Sequence, residues 1–226
     1  VTILAFDTAT AATTVALGNG QILELRDDPA AGERPHHATR LLPMVSELLD
    51  RAAAGWDSVD RIAVGVGPGT FTGLRVGIAT AKALARAAGT PVVAVSTLEA
   101  LALNARAASA PVAAVLDARR GEVFAAAWLY DETAALREAL LAPRAWRPED
   151  LAKALEQLGS GVLAIGDGAI AFREVLDQAG IDVPQDASEL HRVTATRHIE
   201  LARREPATPL DRLAPDYQRP PDAKPR

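Results

Sequence analysis

The opening apolar run, Ile3-Leu4-Ala5-Phe6-Asp7-Thr8, ends in a carboxylate where a strand should give way to a Thr/Ala turn and a second strand. In a nucleotide-binding lobe such an aspartate holds a metal ion or its water while turn amides approach a phosphate. The plainer alternative is that Asp7 and Thr8 only satisfy backbone groups of the turn. A second carboxylate occupies the same kind of place in Leu116-Asp117-Ala118-Arg119-Arg120-Gly121-Glu122. There, Arg119-Arg120 fills positions where a phosphate loop favours small residues, so a plain hairpin is an equally good reading.

Between these two points lies the glycine-rich run from Gly65 to Gly77, GVGPGTFTGLRVG, which joins an apolar run to a helical pattern. Gly67, Gly69 and Thr70 could bring backbone amides and a helix N-terminus close to an anion. The run is not a Walker A loop, because no Gly-Lys-Ser/Thr follows, and its glycines do not fit Gly-x-Gly-x-x-Gly. Gly73, Gly77, Ala81 and Ala85 stand four apart, a stripe of small side chains that suits close helix packing inside the lobe or at a subunit interface. Arg75, Lys82 and Arg86 share a face that reads as a solvated cationic stripe.

Other chemistries lack their parts. The four histidines, His36, His37, His191 and His198, form no i,i+4 pair and no His-Glu-x-x-His, so helical metal ligation has no ligands at the usual spacing. Cysteine is absent, which removes a thiol nucleophile and disulfides, and there is no Gly-x-Ser-x-Gly elbow. With a net charge of −5 the chain is not expected to grip nucleic acid alone through a broad cationic face. The lack of cysteine and of a basic leader before the first apolar run points to the cytoplasm, with no membrane span.

The elements that must position these residues follow from periodicity. Short strands are expected at 2–7, 13–17 and 22–25, with Asn19-Gly20 as a hairpin turn. Leu41, Leu42, Val45, Leu48 and Leu49 recur at helical spacing, and Pro43 places the start of that helix near Thr39, within whose first turn proline is tolerated. A strand at 61–67, a helix at 73–88, a strand at 91–95 and a helix at 97–106 then alternate, which predicts parallel pairing. Residues 107–111 suit a hinge between a first lobe, 1–106, and a smaller second lobe, 107–226. In the second lobe strands are expected at 112–117, 122–129 and 162–165, and helices at 148–158, 169–179 and 194–204. Beyond about residue 206 the tail is too rich in proline and charge for regular structure. One strand-end aspartate per lobe suggests the two-lobed α/β actin-like ATPase (ribonuclease H-like) fold, with Gly166-Asp167-Gly168 as an adenosine-side turn.

Taken together, Phe6-Asp7-Thr8, the segment His37-Ala38-Thr39-Arg40-Leu41-Leu42-Pro43, the run Gly67 to Gly77, and Asp117-Ala118-Arg119 with Glu122-Val123 resemble the bacterial TsaB proteins. These are relatives of TsaD in the actin-like superfamily. The resemblance implies a non-catalytic cytoplasmic scaffold that works with TsaD and TsaE in threonylcarbamoyl transfer to adenosine 37 of tRNAs reading codons that begin with A. It implies that ATP and the threonylcarbamoyl adenylate sit on partner subunits, that this chain needs no cofactor or metal, and that tRNA is met indirectly. Asp7, Thr8, Gly67, Gly69, Thr70 and Asp117 would then be a vestigial nucleotide site. The partner interface, or a homodimer in its absence, would use the helix pair through Leu41, Leu42, Val45, Leu48 and Leu49 and through Gly73, Leu74, Gly77, Ala81 and Ala85. An autonomous small-molecule kinase or ATPase is the alternative motivated by the paired aspartates, and a peptidase a weaker one.

Overall fold

The computed structural model describes residues 1–18, 20–30, 32–130 and 136–218. The chain builds two sheets. The first has the order β3-β2-β1-β4-β5, from β1 (Ile3–Asp7), β2 (Thr13–Gly18), β3 (Ile22–Asp27), β4 (Arg61–Gly67) and β5 (Val92–Ser96). β1, β2 and β3 form an antiparallel meander, and β4 and β5 join in parallel. Asn19 of the expected turn between β2 and β3 lies outside the described residues.

Because side chains alternate along a strand, β1 feeds two cores at once. Leu4 and Phe6 face α1 (His37–Arg51) and α2 (Phe71–Ala88), whereas Ile3 and Ala5 face the opposite layer, to which α3 (Thr97–Ala102) contributes. α2 stops at Gly89, which adopts φ +68° and donates its N–H to Ala85, the left-handed ending that glycine tolerates best. α3 is started by Ser96, whose hydroxyl accepts the N–H of Glu99. α1 begins at His37 rather than near Thr39, so Pro43 lies inside the helix and not in its first turn. Its exposed position leaves the freed carbonyl one turn back on the solvent side.

The second sheet has the order β8-β7-β6-β9, from β6 (Val112–Arg119), β7 (Glu122–Tyr130), β8 (Leu136–Trp146) and β9 (Leu163–Ile165). α4 (Pro148–Glu156), α5 (Asp167–Ala171) and α6 (Arg173–Gln178) contribute to one face, and α3 covers the other, so α3 lies between the sheets. β8 had no counterpart in the sequence reading. The helix expected over 169–179 is two short ones, because Phe172 leaves helical geometry at φ −119°.

After the second sheet the chain goes back to the first. α7 (Ala195–Ala202) buries Ala195, Ile199 and Ala202 beside α3 against Ile3, Ala5, Ala63 and Val93. Residues 206–218 have no regular structure, as their composition predicts, yet they pack as a strap. Arg61 holds the carbonyls of Ala202 and Glu205, then Thr208 bonds Val92 and Ala94 along the free edge of β5. Leu213 enters the core on the α1/α2 side, and the Asp216 N–H reaches the Val66 carbonyl at 2.8 Å. Residues 195–218 therefore pack with the first sheet, not within the lobe expected to run over 107–226. The remainder of the expected tail, 219–226, lies outside the described residues.

Candidate functional site

Asp7 is fully engaged. Its Oδ1 accepts the Ala9 N–H at 2.6 Å, and its Oδ2 accepts the Thr97 hydroxyl at 2.7 Å and meets His198 Nε2 at 2.8 Å. Gly65 on the neighbouring strand closes the remaining side, since a Cβ there would fall 1.8 Å from Oδ2. Asp7 is 1% exposed and His198 0%. The other ring nitrogen of His198 lies 2.9 Å from the Thr194 carbonyl, so both nitrogens face acceptors and both carry hydrogen; the pair is carboxylate and imidazolium. Burial pushes the Asp7 carboxyl up, but the hydrogen bond and charge of His198, with Ala9 and Thr97, outweigh it and hold it below the usual value. Burial likewise pushes His198 down, and the bond and charge of Asp7, with Thr194 and Glu24, carry it above the ordinary histidine value.

The glycine run is equally committed. Thr8 donates its hydroxyl to the Gly73 carbonyl at 2.8 Å, and the Thr70 N–H donates to Ala9 at 2.7 Å. A Cβ on Gly69 would sit 2.4 Å from the Ala9 carbonyl, one on Gly73 1.9 Å from that of Thr8, and one on Gly77 2.5 Å from the Thr8 hydroxyl. Gly67 adopts φ +106° before a cis Pro68. The turn after β1 and the start of α2 are thus fastened to each other, with the Thr70 amide committed to the Ala9 carbonyl. These residues do not fit a nucleotide phosphate or its metal: the carboxylate is sealed, and the loop glycines serve close packing by the chain itself.

Asp117 is placed differently. Its N–H donates to Asp167 at 2.9 Å, its Oδ1 accepts the Arg119 N–H at 2.7 Å, and its carboxylate pairs with the Arg119 side chain. Arg119 and Arg120 turn the hairpin at φ +62° and +58°. Gly166 and Gly168 lie against the backbone of Val115 and Leu116, where a Cβ would come within 2.1 and 2.7 Å, so the expected adenosine-side turn is a packing contact that seats α5 on β6. Burial pushes the Asp167 carboxyl up. Among the described residues no hydrogen bond or ion pair joins Asp7 to Asp117.

The side chains assigned to a partner surface are mostly core. Leu41, Val45, Leu48 and Leu49 of α1, and Gly73, Leu74, Gly77, Ala81 and Ala85 of α2, are buried within the chain, and of the ten only Leu42 is exposed, at 52%. The physical reason is that helical periodicity marks the stripe a helix turns to its own sheet, and both stripes are spent there. The exposed positions include Leu42, Pro43, Ser46 and Glu47 on α1 and Phe71, Arg75, Ala79 and Ala83 on α2.

Sequence reasoning set the histidines aside as poor metal ligands and missed what they do. His191 accepts the Gly166 N–H on Nδ1 at 3.0 Å and faces the Pro184 carbonyl with Nε2, so it ties the last 3-10 turn to the second lobe. His37 is buried with Nδ1 2.8 Å from the Thr13 hydroxyl, and burial holds its ring toward the neutral form. Glu24 was also missed; it accepts the Ala195 N–H at 2.8 Å and the hydroxyls of Thr14 and Thr196, and so caps the start of α7. The one visible signal was a histidine, His198, on the apolar stripe of Ala195, Ile199 and Ala202.

Two lobes built on strand-end aspartates, with the first aspartate sealed, define an α/β protein of the two-lobed actin-like, ribonuclease H-like class. Comparison with known proteins makes this specific. Residues 31–172 match the family model described as TsaD, tRNA N6-adenosine threonylcarbamoyltransferase. The tRNA threonylcarbamoyladenosine biosynthesis protein TsaB of Escherichia coli is 35% identical over 185 residues, 79% of this chain and 77% of that one. The protein of the same name from Bacillus subtilis is 29% identical over 97% of this chain and 94% of its own length. The structure of YeaZ from Pseudomonas aeruginosa superposes with a TM-score of 0.77 at 31% identity, covering 96% of this chain and 99% of that one. The chain belongs to the TsaB family. Among the described residues no helix is long and apolar enough to cross a membrane, and no three His, Cys, Asp or Glu side chains are grouped to hold a metal ion.

Proposed function

We propose that this chain is a non-catalytic subunit in the biosynthesis of threonylcarbamoyladenosine on tRNA, acting in the cytoplasm with a TsaD-type transferase and with TsaE. It docks on TsaD through the exposed face of α1 and α2 and pairs with itself when alone. ATP and the threonylcarbamoyl adenylate are handled by the partners, at adenosine 37 of tRNAs reading codons that begin with A, and tRNA is met through the assembly. The observation that carries this reading is the closure of Asp7 by His198, Thr97 and Gly65. The residue that would serve a nucleotide in a working lobe is instead a strut between β1 and α7. Its membership of the TsaB family supplies the pathway.

The test is to mix the purified chain with TsaD and TsaE of the same source and to follow threonylcarbamoylation of tRNA. Modification that requires this chain, together with a TsaD–chain complex in light scattering and no ATP turnover by the chain alone, supports the reading. ATP turnover by the isolated chain that is lost on Asp7→Ala overturns it in favour of an autonomous kinase or ATPase.

A further inference from the structure

The strap ends at a surface cluster. Tyr217 stacks on Phe71 with ring centroids 5.5 Å apart and planes 26° from parallel. Arg75, one turn along α2, lies 3.7 Å over the Phe71 ring and reaches the Tyr217 hydroxyl at 3.3 Å. All three are exposed, Phe71 at 44% and Tyr217 at 43%. The chain leaves six large apolar side chains exposed among its described residues, and three of them, Leu42, Phe71 and Tyr217, stand on α1, on the first turn of α2 and on the strap that crosses it.

These side chains are also held in place. The bond from Asp216 to Val66 immediately precedes Tyr217, and Leu213 is buried four residues earlier. A partner meeting them would have little side-chain freedom left to remove, and tyrosine and arginine are the residue types on which binding energy concentrates. Beyond Arg75 the exposed positions Ala79 and Ala83 continue along α2 at four-residue steps, leaving room for a second helix to lie close.

We propose that Tyr217, seated on Phe71 and Arg75, is an anchor of the surface that binds the TsaD-type partner, so that the C-terminal strap is part of the docking face and not only a brace. The inference rests on the function proposed above. The occupant follows from the family match: residues 31–172, which include α1 and α2, fit the TsaD model, so the partner carries the same helix pair and can meet this one about a pseudo-twofold axis. The strap lies outside that matched segment. It gives this side of the contact a feature that the shared helix pair does not supply.

The experiment measures the affinity of the full-length chain for TsaD by calorimetry, for the wild type and for Tyr217→Ser, Phe71→Ser and, as control, Leu140→Ser, an exposed apolar residue on the second sheet. Unfolding is followed in parallel to show that each variant is folded. The expected result is at least about tenfold weaker binding for Tyr217→Ser and Phe71→Ser, with Leu140→Ser unchanged. Wild-type affinity in Tyr217→Ser overturns the inference and leaves the proposed function standing. Tighter binding overturns it as well, because the strap would then compete with the partner. So does a change confined to self-association, which would assign the cluster to a second copy of this chain. Failure of the wild type to bind TsaD overturns both proposals.

Discussion

The Asp7 carboxylate and the His198 imidazole, 191 residues apart in the chain, meet at 2.8 Å with almost no exposed surface on either. A buried ion pair adds little by its presence, since desolvating two charges offsets most of their attraction. Its importance is conditional: with one partner gone, the other is a charge stranded in the core.

Replacing His198 with leucine is expected to destabilise the chain by about 3–5 kcal/mol in urea unfolding. Adding Asp7→Asn should recover part of that loss, because the stranded charge is removed. A double-mutant cycle with no coupling between the two sites would show that they do not act as a pair.

The pair sets a pH dependence with a defined sign. His198 lies above its ordinary 6.5, so its contribution is fully present below that value and is lost as pH rises through the raised one. Asp7 lies below its ordinary 3.8, so its contribution is present above that value and is lost as pH falls through the lowered one. Stability measured against pH should therefore decline on the alkaline limb in the wild type, and His198→Gln should flatten that limb. His37, held neutral by burial, acts in the other direction: its contribution is present above 6.5 and is lost as pH falls through its lowered value, and His37→Gln should flatten the acid limb.

Neighbouring leucines on α1 should separate folding from association. Leu41 is 1% exposed and Leu42 52%. Leu41→Ala is expected to cost about 2–5 kcal/mol in denaturant unfolding, whereas Leu42→Ala should change stability by no more than about 0.5 kcal/mol. Any effect of Leu42→Ala should appear in binding to TsaD.

Gly73→Ala tests the closed loop. The added methyl would meet the Thr8 carbonyl, a backbone atom that cannot turn aside, and the expected cost is about 3 kcal/mol or more. Gly77→Ala meets the Thr8 hydroxyl instead, so pairing it with Thr8→Ala should recover part of its loss. Millimolar Mg-ATP should leave the melting temperature of the wild type unchanged, and a clear rise would show that the loop opens to nucleotide.

What the sequence revealed, and what it hid, divides by distance along the chain. The first sheet, the helix pair and the parallel join of β4 and β5 all follow from local periodicity and glycine punctuation. β8 escaped because Leu136–Trp146 is rich in Ala, Leu and Arg and contains Pro143; it is extended as the edge partner of β7, where a proline costs no ladder bond. The glycine run was recognised, but its purpose was not, since spacing cannot tell a loop that waits for phosphate from one that waits for Thr8. The helix stripes were read correctly as apolar, and their destination was misassigned because a core face and a partner face carry the same period. His198 could not be matched to Asp7 from sequence, as nothing local to either residue names the other.

The course of residues 195–218 has a consequence for synthesis. β1 leaves the ribosome well before α7, so Ile3 and Ala5 lack their α7 cover, Asp7 lacks its counter-charge and the rim of β5 lies bare until some 190 residues after β1 have been made. The first sheet therefore cannot reach its final stability as an autonomous nascent domain. Its closing step is a long-range capture, the slow kind of event that non-local contacts impose. A ribosome stalled short of α7 would hold a half-covered sheet with an open edge, the species that a chaperone or a protease meets first.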